Sequence, residues 1–511
     1  MFNARTALAL AIVFFVSSGC ASLRPEGVSA SAERAWFETA ESVQSELKNP
    51  RYADTIWSVE VVNLRTGDTV YEMNAESNMI PASNTKIYTT ATALDQLGPD
   101  YFYTTTVVTN GTIRDGTLEG DLIVTGSGDP VIGGRFNEGN ILATFESWAD
   151  SLAILGVSEI HGDIIGDDNV FDDVPLGPGW MWDDETGWYS AQVSALSFND
   201  NCVDITVAGT IPGEPAHLSW EPANTPYVTI LNKTQTLHPD SSFDNLFDRE
   251  RETNRIHVGS LVPADRSTVR SITISNPTLY FVSVLRETLE RKGIRVYGYP
   301  IDIDQMEAAD YETIDQWTVA SHRSVPMSEI VKAINKPSHN LYADMVLKTV
   351  GLERNRMLDL DEPGSWTSGI DAVLETLGRA GADTSVTQLV DGSGLSRYNL
   401  VRSGMTMSLL KYMWNHDDRN VFSAFYESLP IGGIDGTLSG RYPAGSARGN
   451  VHAKTGTVSN VSTLAGYVNS ADGTPLAFVI MANHFSVPTS EVRSSQDFVV
   501  EQLANLQLQR R

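Results

Sequence analysis

Cysteine is nearly missing from the 511 residues, with Cys20 and Cys202 the only two, so no disulfide framework holds this fold. Basic residues are scarce as well. Lys and Arg number 36 against 64 Asp and Glu, a net charge of −28, and so acidic a surface repels a phosphate backbone. Nucleic acid is thereby excluded as the main partner, and a site for an anionic substrate has to be made positive locally by a few lysines or arginines. Long hydrophobic runs are missing too: Ala7 to Val16 falls short of the ~20 residues that span a bilayer, and no later stretch reaches that length. The nine histidines are scattered, with no H-E-x-x-H and no Cys/His cluster, so no metal and no other cofactor is expected. There is no Walker loop and no G-x-S-x-G elbow, which argues against nucleotide and α/β-hydrolase chemistry. With 41% of residues apolar, the chain still has material for two or three cores.

Residues 1–20 read as an export signal, Arg5 preceding the apolar run and Ser17-Ser18-Gly19-Cys20 following it. Those last residues resemble a lipobox, in which Cys20 becomes the lipidated N-terminus; ordinary cleavage near Ala21 is the plainer alternative. Residues 21–31 form a linker. From Ala32 to Lys48 the apolar residues Ala35, Phe37, Ala40, Val43 and Leu47 recur at helical spacing. A hairpin follows, Trp57 to Val62 turning through Asn63–Asp68 into Thr69–Met73, and two strands alone are marginal in water. Their partners are expected near the other end: Val451–Ser459, Thr463–Asn469 and Leu476–Asn483, closed by a helix at Ser490–Leu506. One discontinuous α+β domain, 32–97 and 318–511, is therefore expected, its helical part at about 325–430. Residues 98–317 form a β-rich insertion in two pieces, with strands at Tyr103–Val108, Leu122–Gly126 and Thr268–Ser275 and one helix at Pro277–Lys292.

A serine activated by lysine remains as chemistry. Ser-x-x-Lys on a helix puts hydroxyl and amine one turn apart on the same face, and it occurs at Ser45/Lys48, Ser83/Lys86 and Ser408/Lys411. Only Ser83 follows a Pro-Ala pair at a helix start, where the dipole favours developing negative charge; a plain N-cap is its ordinary alternative. Lys454-Thr455-Gly456-Thr457 lies on a strand, where an ammonium and hydroxyls can hold a carboxylate and Gly456 admits another backbone. Ser338-His339-Asn340 lies between two helical segments, whereas the rival Ser197-Phe198-Asn199 falls in the insertion. His339 is expected to be a filler rather than a base. Gly126–Pro130 reads as a turn, Asp391–Arg397 as a tight turn lining the site, and Trp180, Trp182 and Trp188 as aromatic core rather than a glycan platform.

Ser-x-x-Lys, Ser-x-Asn and Lys-Thr-Gly in that order make the chain resemble the penicillin-binding proteins and serine β-lactamases. The gap from 83 to 338 and the runs Gly126–Pro130, Gly179–Asp184, Asp391–Arg397 and Gly433–Leu438 narrow the resemblance to the low-molecular-mass class C penicillin-binding proteins, D-alanyl-D-alanine carboxypeptidase/endopeptidases whose transpeptidase-like domain carries two inserted domains. His339 stands where that family usually has Asn or Asp. The resemblance implies Ser83 as nucleophile, Lys86 as its base, Ser338 as proton relay and Asn340 as a holder of substrate amide or Lys86. It further implies an oxyanion hole from the amides of Ser83 and Thr457, and Lys454, Thr455, Gly456 and Thr457 as the carboxylate grip. Expected partners are peptidoglycan stem peptides and β-lactams, in the periplasm, with a lipid anchor on the outer membrane through Cys20. Burial and the neighbouring Lys454 charge are expected to depress the Lys86 pKa. A β-lactamase-like or esterase hydrolase and an idle wall-binding protein are the competing readings.

Overall fold

The computed structural model describes residues 30–306 and 316–508, with backbone alone at 30–36. Residues 1–29, including Cys20, lie outside that range. Among the described residues no helix is long and apolar enough to cross a membrane.

Both ends of the chain build one antiparallel sheet. Ile56–Asn63 has Thr69–Met73 on one side and Pro475–Asn483 on the other, then Val461–Asn469 and, at the edge, His452–Val458. The Trp57/Val59/Val61 alternation drives this, since that face of the strand is shielded by Ala30–Leu47 and Thr489–Asn505 in a core with Leu464, Phe478 and Val499. The other face carries the helical half: Thr85–Gln96, Met327–Asn335, Asn340–Met357, Trp366–Arg379, Ser403–Trp414 and Arg419–Ser428 share a second core. Thr85–Gln96 is buried over nearly its whole length, and so it sits at the centre of that half.

The intervening region carries five sheets around one shared core. A four-stranded sheet uses residues 112–114, 117–119, 159–160 and 295–296, and a five-stranded one 104–109, 122–125, 164–167, 300–302 and 317–323; three smaller sheets lie within 202–273. The helix Pro277–Arg291 matches its expected position, and a second one, Ala143–Ile154, was not expected from the sequence. Its buried Phe145, Trp148, Ala149 and Leu152 have helical spacing, but short strands on either side obscure it. Trp317–Arg323 straddles the 317/318 boundary drawn from sequence; it pairs with Thr104–Thr109, so the return to the helical half falls at about Ser324. The insertion also enters the main core, where Val131, Phe171, Ala191 and Val193 pack with the helices.

Candidate active site

Ser83 lies in a single 3-10 turn, Ala82–Asn84, directly ahead of the helix Thr85–Gln96. Ala82 has φ +46°, a conformation that non-glycine residues avoid. Three hydroxyl bonds hold the turn: Thr85 Oγ1 donates to Ala82 O at 2.9 Å, and Thr463 Oγ1 donates to Pro81 O at 2.8 Å and Asn84 Oδ1 at 2.7 Å. Ser83 makes no capping bond; its half-buried Oγ accepts from Lys86 Nζ at 3.2 Å. The Ser83/Lys86 pair is thereby separated from Ser408, whose hydroxyl donates to its own helix at Gly404 O.

Lys86 is fully buried and donates also to Asn340 Oδ1 at 2.6 Å and to Ser393 O at 2.7 Å. Its pKa is pushed down to about 8 by burial, opposed by the carboxylates of Asp344 and Asp391. Lys454 likewise has no exposed surface and donates to Ser338 Oγ and Thr455 O, both at 2.8 Å. Its pKa is driven well down, by burial first and then by the Lys86 charge. The repulsion between the two ammonium groups is mutual, and on Lys86 it is opposed by the two acids behind it.

The helix–loop–helix setting of the second motif is observed: Ser338, with φ +68°, joins Met327–Asn335 to Asn340–Met357. Asn340 donates its amide to Tyr189 O of the insertion at 2.7 Å, which leaves Oδ1 facing Lys86. The strand His452–Val458 brings Gly456 against the Ser83 turn so closely that a Cβ there would lie 2.7 Å from Pro81 O and 3.0 Å from Asn84 N. Gly456 therefore serves the packing of strand on turn. Thr455 Oγ1 shares a 2.7 Å bond with Thr437 Oγ1, and exposed Thr457 accepts from Arg493 at 3.1 Å.

Asp344 escaped sequence reasoning, whereas the expected tight turn at Asp391–Arg397 is observed beside Lys86. Asp344, fully buried one turn after Asn340, accepts from Gly392 N at 2.7 Å, and burial followed by the neighbouring Asp391 charge raises its pKa well above the carboxylate range. Asp391 organises its loop by accepting from Gly394 N, Ser396 N, Asn399 and Trp180. Gly394, at φ +81°, lies against Ala82 O. The i, i+4 spacing of Asn340 and Asp344 was the available sign, but an acid in a helix is ordinarily solvated. Two expectations fail. Trp182 is 69% exposed and Trp188 39% exposed; Trp180 alone of the three packs on the main core, against Trp366. His339 is no filler either: it is 1% exposed and stacks on Tyr342 at 4.0 Å.

As for a metal, the described residues hold one acidic group, Asp168, Asp173 and Asp304, on the insertion and outside this network; two of the three are exposed and solvated.

Chemically the arrangement can transfer an acyl group: a hydroxyl beside an amine of lowered basicity, a second hydroxyl beside a second amine, and an edge strand at the mouth. Residues 39–506 match the D-Ala-D-Ala carboxypeptidase 3 (S13) family, and the chain belongs to it. A D-alanyl-D-alanine carboxypeptidase of Actinomadura sp. is 32% identical over 98% of this chain and 91% of its own. The D-alanyl-D-alanine carboxypeptidase DacB of Haemophilus influenzae is 28% identical over 87% of this chain and 88% of its own. The crystal structure of penicillin binding protein 4 from Haemophilus influenzae superposes with a TM-score of 0.76 at 26% identity, covering 91% of this chain and 99% of that one. The protein is accordingly a serine peptidase on the α+β fold of the penicillin-binding proteins.

Proposed function

We propose that this peptidase removes the terminal D-alanine from peptidoglycan stem peptides and also cuts D-Ala-diaminopimelate cross-links, in both cases through an acyl-enzyme on Ser83 that β-lactams trap. The observation that carries the reading is Lys86 Nζ held among Ser83 Oγ, Asn340 Oδ1 and Ser393 O, with a pKa brought down to about 8. Neutral Lys86 takes the Ser83 proton as Oγ attacks the carbonyl carbon. The amides of Ser83 and Thr457 serve as the oxyanion hole. Ser338, polarised by Lys454, passes a proton to the departing amine; water then attacks the ester and frees the enzyme. Lys454 and Thr457, with Arg493 beside them, draw in the substrate carboxylate and supply the positive charge an acidic chain otherwise lacks.

The same reading divides the chain into a catalytic unit, 32–97 and 324–511, around the insertion 98–323. It places the enzyme in the periplasm, released from its export signal and tied to the outer membrane by lipid on Cys20. Two experiments test the peptidase reading. Labelled penicillin is expected to attach to the wild type and not to Ser83→Ala, while Ser45→Ala and Ser408→Ala label normally; label retained on Ser83→Ala refutes the nucleophile. Muropeptides incubated with enzyme are expected to lose D-alanine and to uncouple dimers by mass spectrometry. Fast multiple-turnover penicillin hydrolysis with intact muropeptides would instead indicate a β-lactamase.

A further inference from the structure

Asn199, Asp200 and Asn201 carry φ of +47°, +56° and +52°, three successive left-handed residues without a glycine. Such backbone is costly for L-residues and persists only where its surroundings enforce it. Here the enforcement is Asn201, fully buried, which accepts from Phe198 N at 3.1 Å and donates to Gln192 O at 2.8 Å and Ser197 Oγ at 2.9 Å. What the strained turn presents is Asp200. Its Oδ2 lies 3.1 Å from His339 Nε2, at ion-pair distance but off the line of a hydrogen bond, and 3.2 Å from an Arg135 guanidinium nitrogen, and Arg135 in turn reaches Tyr342 OH at 3.4 Å. Burial acts to raise the Asp200 pKa, yet the His339 ring and Arg135 outweigh it and hold the carboxyl well below its ordinary range. The His339 ring lies on Tyr342, has the Trp188 ring edge-on at 5.6 Å, and through Nδ1 accepts from Tyr342 N at 3.5 Å, capping the helix Asn340–Met357.

None of these groups enters the acyl-transfer steps, yet His339 sits between the two residues of the second motif that do. Ser338 is itself held at positive φ, so a loop released at His339 can relax toward ordinary backbone. Relaxation draws Ser338 Oγ from Lys454 and Asn340 Oδ1 from Lys86. We propose that Asp200 is a positioning residue of the reaction: from the strained turn of the insertion it holds His339, and through His339 it keeps Ser338 and Asn340 in register with the two lysines. Together with the Tyr189 carbonyl on Asn340, this gives the inserted region a part in catalysis. The inference rests on Ser83, Lys86, Ser338 and Asn340 having the roles assigned above.

Rapid-mixing kinetics with a fluorescent penicillin separates the dissociation constant of the initial complex from the acylation rate constant. Labelling of the wild type and its loss in Ser83→Ala test the underlying site by themselves. With that in place, Asp200→Ala is expected to slow acylation about ten- to a hundredfold, the scale of a small misplacement of reacting groups, with the initial dissociation constant unchanged. Asp200→Asn, which keeps the shape of the side chain without its charge, is expected to recover part of the rate. His339→Asn keeps a capping acceptor but cannot reach Asp200, so it is expected to lose as much as Asp200→Ala, and the double variant no more than either. Wild-type acylation by Asp200→Ala, a loss confined to the dissociation constant, or single losses that multiply in the double variant would each overturn the proposal. Should Asp200→Ala fail to fold, wild-type acylation by His339→Asn overturns it equally.

Discussion

Lys86 and Lys454 have no exposed surface, while Ser83 and Ser338 beside them are only half-buried; the amines are shielded and the serines are partly open to solvent. A base has to be neutral to accept a proton, so acylation by penicillin is expected to rise with pH through about 8 and level off above it. A flat profile from pH 6 to 10 would count against Lys86. Lys454→Ala is expected to cost carboxylate-bearing substrates about ten- to a hundredfold, since a charge-assisted hydrogen bond is worth roughly 1.5–3 kcal/mol, and an amidated substrate is expected to lose less. Elsewhere Asp129, 1% exposed, has its pKa raised to about 7 by burial, with the Val131 N–H opposing. The unfolded carboxyl titrates near 3.8, so the folded chain binds the extra proton between about pH 4 and 7, and stability falls as pH rises through that window. Asp129→Asn is expected to melt higher than the wild type at pH 8, by about 1 kcal/mol or more of stability, and to lose most of that lead at pH 5. An equal lead at both pH values would contradict it.

Strand His452–Val458 and turn Ala82–Asn84 meet through a glycine, and the contact tells how the elements make the site. A Cβ on Gly456 would lie 2.2 Å from Thr463 Oγ1, the hydroxyl that bonds Pro81 O and Asn84 Oδ1. Gly456→Ala therefore has to push strand from turn, and is expected to lose about 1–3 kcal/mol by overpacking together with most of its acylation rate. Gly473→Ala is the contrast: at φ +77° with nothing within 4 Å, it strains a hairpin turn, costs about 1 kcal/mol, and is expected to acylate normally. Denaturant curves and penicillin kinetics on the two variants distinguish a positioned turn from a generally weakened fold.

At the scale of the molecule, insertion and helical half are packed together. Lys348, fully buried on the helix that begins at Asn340, donates to Asp172 O, Asp172 Oδ1 and Val174 O, between the rings of Phe171 and Trp366. Tyr103, Val131, Phe171, Ala191, Val193 and Ala195 of the insertion share a core with Tyr88, Leu94 and Val346. A chain joining 32–97 directly to 324–511 would expose that surface and lose the Tyr189 carbonyl from Asn340. It is expected to melt well below the full protein or not to fold cooperatively, and not to react with penicillin. Normal acylation by such a chain would show the insertion to be dispensable.

The sequence by itself determined the parts with local causes. Strand alternation at Trp57–Val61 placed a sheet built from both ends, helical spacing placed helices at Ala32–Lys48 and Ser490–Leu506 where Ala30–Leu47 and Thr489–Asn505 are found, and one turn of spacing put Ser83 and Lys86 within reach of each other. Motif order was enough to bring out Ser338, Asn340 and Lys454 as candidates. Only the tertiary structure decided what surrounds them. The carbonyls of Ser393 and Tyr189 act as backbone atoms, which any residue could supply, so no side-chain pattern announces them. Asp344 and Asp200 look like ordinary surface acids until packing removes one from water and sets the other against His339. Exposure of Trp182 and Trp188 follows from which elements lie over them, a property of long-range packing that residue type does not encode.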